Sequence, residues 1–352
     1  MPIKILFLAD THLGFDLPFK PRVQRRRRGP DFFKMFELAL EPAHRGEVDA
    51  VVHGGDILYR SKVPPQLVQM AFEPLQKVAD KGVPIYLVPG NHERSAIPYR
   101  LLAAHPNIHI FHRPKIFYLE VNGVTLALAG FPYVRDNIRQ NFRQVLEQTG
   151  WSKSRTDAAI LCIHHCVEGA ALQMGSRMYV FRHNPDVIRA ADFPPGFSAV
   201  LSGHIHRFQV LTKDLRGNPI AAPVFYPGST ERTSFVEKDE PKGYLILEIE
   251  PTANVPGGIL KRWQFHELPA RPMKQLEIQA ANMTAAELES WILKNLEALP
   301  RDSIVKIRIY GKIGGDSLMV VSAASLRSLV PPTMNVNVVL PDYRSPSKLA
   351  KP

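Results

Sequence analysis

Five short apolar runs, each ending in Asp, Asn or His, constrain this chain more than any other feature of its sequence. Residues 3–9 lead into Asp10-Thr11-His12, residues 50–53 into Gly54-Gly55-Asp56, and residues 85–88 into Gly90-Asn91-His92. Residues 159–163 lead into His164-His165, and residues 199–202 into Gly203-His204-Ile205-His206. The runs are four to seven residues long, rich in Ile, Val and Leu, and lack strict alternation. That pattern predicts strands buried on both faces. A further run at 124–129 is of the same kind, and residues 32–43 and 65–81 have the length and spacing of crossover helices. Strands alternating with such helices predict an α/β fold.

Beyond about residue 205 the pattern turns to strand and turn, at 209–213, 224–226 and 244–250, which predicts a second sheet packed on the first. Residues 251–273 carry Pro251, Pro256, Gly257, Gly258, Pro269 and Pro272 and read as a boundary. A small β-α-β-α-β unit is expected to follow. Residues 276–278 are extended, and Thr284 with Glu287 fits a capping box for a helix carrying Leu288, Trp291, Ile292, Leu296 and Leu299. Val305, Ile307 and Ile309 alternate with Lys306, Arg308 and Tyr310 in the next strand, and residues 334–340 close the unit. The expected organisation is therefore a domain at 1–268, a second at 269–341 and a flexible tail at 342–352.

Composition excludes several classes. Lys and Arg number 44 against 33 Asp and Glu, a formal charge of +11 that favours a polyanion partner. Two cysteines cannot make a disulfide framework. No apolar run reaches the roughly 18 residues of a membrane span, and Asp10 cuts the first run too short for a signal peptide. A cytoplasmic protein without a membrane partner is expected.

The carboxyl ends of strands in α/β sheets are where ligands bind, and the five runs are expected to bring their polar residues to one edge of one sheet. Taken singly, Asp-x-His or Gly-Asp after a strand is commonly a capped turn. All five in this order point elsewhere. Asp10, His12, Asp56, Asn91, His164, His204 and His206 combine carboxylate, amide oxygen and imidazole, a donor set suited to manganese, iron or zinc. Seven ligands are too many for one tetrahedral ion but natural for two ions that share a carboxylate. Cys162 and Cys166 read as structural, His165 as a supporting group, His53 as a packed strand residue, and Trp263 and Trp291 as core.

The ordered motifs Asp10-x-His12, Gly55-Asp56, Gly90-Asn91-His92, His164 and Gly203-His204-x-His206 resemble the calcineurin-like metallophosphoesterase superfamily. The resemblance implies a metallophosphoesterase β-sandwich flanked by helices, followed here by a small α+β capping domain. It assigns Asp10, His12, Asp56 and His206 to one divalent ion and Asp56, Asn91, His164 and His204 to the other, with manganese first among the candidates. The ions would lie about 3.5–4 Å apart and activate a water in line with phosphorus, and His92 would protonate the leaving oxygen. Glu93 stands where the superfamily usually has Asp.

Tyr226-Pro227-Gly228-Ser229-Thr230-Glu231-Arg232, Lys242-Gly243-Tyr244 and Asp10-Thr11-His12-Leu13-Gly14 narrow the resemblance to SbcD-type double-strand-break repair nucleases, over residues 1–340. That family implies DNA as substrate, a homodimer, and a cap that positions DNA over the metals. Tyr59 falls where the family often has a His that orients the DNA phosphate. The helices that hold an SbcC-type ATPase normally follow the cap, and only residues 342–352 remain here, which leaves the ATPase partner open. Lys20, Arg22, Arg25, Arg26, Arg27 and Arg28 put six positive charges and no acid into nine residues just after the first ligand pair. They are expected to meet DNA phosphates. The reading is thus a metal-dependent DNA nuclease, exonuclease or endonuclease. A small-molecule phosphodiesterase or phosphatase of the same superfamily, and a DNA-end-binding scaffold with weak catalysis, are the alternatives.

Overall fold

The computed structural model describes residues 2–17, 27–93, 105–175, 177–252 and 255–340. These fall into two compact units, one of residues 2–17 and 29–270, the other of residues 27–28 and 271–340. No helix among the described residues is long and apolar enough to cross a membrane.

The first unit is built on two six-stranded sheets. The chain supplies β1 (Ile3–Leu8), β2 (Ala50–His53), β3 (Ile85–Leu87) and β4 (Ile108–Ile110) to the first sheet, with helices α1 (Gly29–His44) and α2 (Pro65–Ala79) between them. It then supplies β5 (Lys115–Val121), β6 (Val124–Gly130), helix α3 (Ile138–Glu147) and β7 (Ala158–Ile163). Four short strands follow: β8 (Cys166–Val167), β9 (Ala171–Met174), β10 (Arg177–Val180) and β11 (Val187–Ile188). The last five are β12 (Ala199–Ser202), β13 (Gln209–Lys213), β14 (Pro219–Tyr226), β15 (Gly243–Glu250) and β16 (Ile259–Glu267). The first sheet runs β16-β15-β1-β2-β3-β4 and the second β13-β14-β12-β7-β6-β5.

Burial on both faces explains why the runs do not alternate. Ile3, Ile5 and Phe7 of β1 point between the sheets, where they meet Leu128, Ile160, Leu201 and Phe225 of the second sheet. Leu6 and Leu8 point the other way, into a core with Phe32, Phe36 and Leu40 of α1 and Phe72 and Leu75 of α2. On the far side of the second sheet, Leu161, Ile163 and Val200 pack with Phe142 and Leu146 of α3. The result is four layers, helix-sheet-sheet-helix, in which even the free thiol of Cys162 is sandwich core.

Several sequence expectations are corrected. The ligand-bearing strands are divided between two sheets, β1, β2 and β3 in one and β7 and β12 in the other. Residues 244–250, expected in the second sheet, pair antiparallel with β1 in the first. Within the supposed boundary, β16 pairs along its length with β15. It is an edge strand with one neighbour, so its sequence is polar, and Trp263 on it is 41% exposed rather than core.

In the second unit, β17 (Met273–Gln279), β18 (Ile304–Tyr310) and β19 (Asn335–Val339) form a parallel sheet in that order. Helix α4 (Ala285–Glu297) starts at the Thr284–Glu287 capping box, and Leu288, Ile292 and Leu296 on it bury against Val305, Ile307 and Ile309. Two short helices, α5 (Gly315–Val320) and α6 (Ala323–Leu329), replace the single helix expected before the last strand.

Candidate metal centre

Past the end of the first sheet, two loops continue in parallel register. Asp10 N–H donates to Gly55 O (2.9 Å), His12 N–H to Asp56 O (3.1 Å) and Leu13 N–H to Ile57 O (2.7 Å). This pairing forces φ of 52° at Asp10, 43° at His12 and 52° at Asp56, and His204 sits at 82°. Four of the seven non-glycine residues with positive φ among those described are thus in this one place. Such conformations persist only where the surroundings over-determine them, and they gather at functional sites. Glu93 ties in the third loop: its carboxylate accepts from Asp56 N–H (2.8 Å), Leu58 N–H (3.0 Å) and Gly90 N–H (2.8 Å). Burial, with the charge of Asp56 beside it, pushes the Glu93 carboxyl up to about 8.

The side chains converge. Asp10, His12 and His206 bring ligand atoms within 4.8 Å of one another, as do His12, Asp56 and His92, and Asp56, His164 and His204. Asp56 belongs to two of these groups. Asn91 Oδ1 completes the third, 3.1 Å from His164 Nε2 and 2.9 Å from His204 Nδ1. Facing nitrogens lie at hydrogen-bond distance, His12 Nε2 to His206 Nε2 at 2.8 Å and His204 Nδ1 to His164 Nε2 at 3.3 Å.

His164 Nδ1–H donates to Gly54 O (2.6 Å) and His206 Nδ1–H points to Glu237 Oε1 (3.4 Å), so each turns Nε2 inward. Burial, reinforced by His206, holds His12 well below the usual imidazole range, and burial with His164 holds His204 down to about 3. Burial pushes the Asp56 carboxyl upward, but His164, His12 and His92 together outweigh it and keep the group ionised. Against the effect of burial, the nearby carboxylates raise His164 to about 9 and raise His206 as well, so a bound cation displaces protons here. Imidazoles, an ionised carboxylate and an amide oxygen are a donor set that fits a divalent-cation cradle.

His92 lies at the open side, its side chain 29% exposed. Its backbone N–H donates to Asp56 Oδ1 (3.0 Å), and its Nδ1 lies 3.3 Å from Leu58 O. The Tyr59 ring stands 6.3 Å from that of His12 and 6.5 Å from that of His92. Arg27 is half-buried and Arg28 is 8% exposed, while Lys20, Arg22, Arg25 and Arg26 lie outside the described residues.

Several supporting residues carry no sequence signal of their own. His53 is not merely packed. Its Nδ1 accepts from Gly55 N–H (3.1 Å), so Nε2–H donates to Thr11 Oγ1 (3.2 Å), whose hydroxyl donates to Ile57 O (3.1 Å). That chain locks the two loops that carry Asp10, His12 and Asp56. The Tyr133 ring stacks on His165 (4.9 Å, 16°) and His204 (5.7 Å, 30°). The stretch 226–232 also finds its purpose here. Tyr226 O–H donates to His165 O (2.9 Å), Ser229 N–H donates to His206 O (3.1 Å), and Ser229 bridges Ala9 at the end of β1. A Cβ at Gly228 would lie 2.8 Å from His206 O, so the close approach requires glycine.

A two-sheet sandwich with imidazoles, carboxylates and an amide gathered at its strand ends defines a hydrolase of the dimetal class. The chain belongs to the calcineurin-like phosphoesterase family, whose model matches residues 3–208. That family works through a dimetal centre, and the residues gathered here are candidates for it. Among curated proteins, the chain is 23% identical over 287 residues to the DNA double-strand break repair protein Mre11 of Aeropyrum pernix, covering 78% of this chain and 63% of that one. It is 30% identical over 253 residues to Mre11 of Haloferax volcanii, covering 71% and 50%. Against the SbcD component of the nuclease SbcCD of Bacillus subtilis it is 26% identical over 277 residues, covering 71% and 67%. The chain thus spans about half to two thirds of the length of these relatives.

Proposed function

We propose that this protein is a metal-dependent nuclease that hydrolyses DNA phosphodiesters. The observation that carries the chemistry is Asp56, whose carboxylate belongs to two convergent ligand groups at once. The names of the relatives, repair proteins and a nuclease component, support DNA as the substrate. Asp10, His12, Asp56 and His206 would hold one ion, and Asp56, Asn91, His164 and His204 the other, with manganese as the first candidate and iron or zinc as the others. Such a pair, when bound, polarises the phosphoester and supplies an activated water.

The chain's own residues do the rest. With Nδ1–H on Leu58 O, His92 keeps Nε2 for the reaction, 3.9 Å from Asp56 Oδ2. From Nε2 it delivers a proton to the leaving oxygen. Glu93 and His53 hold the loops fixed while this happens. Tyr59, beside His12 and His92, offers a hydroxyl to a phosphate where relatives of this type often offer an imidazole. Arg25, Arg26 and Arg27 supply charge for the DNA backbone, while Arg28, 8% exposed, serves the fold. Residues 1–268 form the catalytic domain, and residues 269–341 position the DNA.

Linear and circular DNA incubated with manganese, with EDTA, and with His92→Ala separates the readings. Cleavage is expected with manganese, none with EDTA, and His92→Ala should lose roughly 10²–10⁴-fold in kcat while still binding DNA. Loss of linear DNA with circles spared would make it an exonuclease. Intact DNA alongside hydrolysis of bis(p-nitrophenyl) phosphate would overturn the proposal in favour of a small-molecule phosphodiesterase.

A further inference from the structure

The ribbon of β9 and β10 leaves the strand end that carries His164 and is unlike the surface around it. Met174, Met178 and Tyr179 are 58%, 46% and 39% exposed. Residues 171–182 also hold two arginines, Arg177 and Arg182, and no acid. A two-stranded ribbon alone is marginal in water, yet this one is braced at its base. The Gln209 amide holds both backbone groups of Ala171, each at 2.8 Å. Phe181 N–H donates to Ala170 O (2.9 Å), Gly169 N–H to Phe181 O (3.0 Å), and the Tyr179 ring stands edge-on to Phe181 at 5.1 Å.

Those braces belong to the candidate centre. Gln209 follows His206 by three residues. Arg207 follows it directly and donates from Nη1 to Met178 Sδ (3.3 Å). β9 also packs against the turn Phe235–Glu237, and Glu237 is the carboxylate that faces His206. The fold therefore keeps a rigid, apolar and basic ribbon beside the site, although neither the ligands nor the core require its side chains.

We propose that this ribbon is a docking surface for the unpaired bases of a nucleic-acid strand. Met174 and Tyr179, which share one face of the ribbon with Arg177, take the base faces, and Arg177 meets the phosphates. Met178, contacted by Arg207, lies on the opposite face. The inference deepens the nuclease reading and rests on it. Charge and polarity choose the occupant: apolar side chains interleaved with cations match a strand that presents flat bases on an anionic backbone. A second copy of the ribbon would set Arg177 against its own like charge. Base stacking on an aromatic ring such as that of Tyr179 is tolerant of sequence, so the ribbon would favour frayed or single-stranded ends over intact duplex without reading the bases.

The test uses the full chain in EDTA and follows fluorescence anisotropy of a labelled single strand and a blunt duplex. The double variant Met174→Ser/Tyr179→Ser should weaken single-strand binding roughly tenfold and duplex binding by less than about twofold, whereas Met178→Ser, on the opposite face, should leave both unchanged. Tyr179→Trp should retain or tighten single-strand binding, and a 2-aminopurine base in the strand should be less quenched by the double variant than by the parent protein. Melting temperature reports folding, which these exposed positions should leave intact. Unchanged single-strand affinity in a parent protein that cleaves DNA overturns the ribbon proposal alone. So does a variant that only shifts sedimentation from dimer to monomer, which would make the ribbon an interface between copies. A parent protein that hydrolyses bis(p-nitrophenyl) phosphate but binds no DNA overturns the nuclease reading and the ribbon proposal together.

Discussion

Glu237 touches the candidate centre only through His206, yet the surrounding residues are arranged to keep it charged. Lys242, fully buried, donates from Nζ to Glu237 Oε2 (2.6 Å) and to His206 O (2.8 Å). Thr233 Oγ1–H adds a bond to Glu237 Oε1 (2.7 Å). Burial alone would raise the Glu237 carboxyl, but the bond from His206 and the Lys242 charge carry it well below the usual carboxylate range. The carboxylate then fixes the proton on His206 Nδ1 and leaves Nε2 to bind, a role for which supporting carboxylates are known to matter. Glu237→Gln should weaken divalent-ion binding roughly 10–100-fold, measured by calorimetry on the metal-free protein. Lys242→Met should destabilise by about 3–5 kcal/mol because it strands a buried carboxylate, and the double variant Glu237→Gln/Lys242→Met should recover part of that loss in a denaturant titration. If the double variant is no more stable than Lys242→Met, the buried pair is not what Lys242 serves.

The loops between elements carry the strain that the strands do not. Gly55, at φ +103°, lies between Gly54 and Asp56, and a Cβ there would sit 2.4 Å from His164 Nδ1 and 2.8 Å from Val88 O. Gly55→Ala should therefore cost at least about 1–3 kcal/mol, seen as a fall of about 2–4 °C in Tm for each kcal/mol in a chain of this size; an unchanged Tm would show that the loop can relax. The glycines and ligands of these loops are visible in the sequence because buried strands end abruptly and the residues after them have no apolar role. What is invisible follows from the same physics. A run buried on both faces looks alike in either sheet, so β7 and β12 could not be told from β1 and β2. β16 has one neighbour and much exposed surface, so it is as polar as a linker. β5 escapes for a related reason, being an edge strand whose side chains Tyr118 and Glu120 face solvent. Glu237 and His53 meet their partners only through the folded chain, and nothing local marks them; Lys242 stands in a stretch that the resemblance marks, but its partner Glu237 does not.

Across the whole molecule, charge is the property that composition states and the fold redistributes. Of the +11, six charges fall in residues 20–28, but they are not equivalent. Arg28 is 8% exposed, so its guanidinium belongs to the folded interior more than to a DNA surface, and Arg27 is half-buried. Substituting all four arginines at once would therefore confound binding with folding. Arg25→Gln/Arg26→Gln is the cleaner variant, with Arg28→Gln measured separately. If the segment meets a DNA backbone, each lost phosphate contact should reduce the slope of log affinity against log salt by about 0.9 on duplex and about 0.7 on single strands. The double variant should show that flattening at unchanged Tm, whereas Arg28→Gln should lower Tm with little change in slope. A double variant whose slope matches the parent protein would remove the segment from the interface and leave the polyanion contacts to other cations, among them Arg177 of the ribbon.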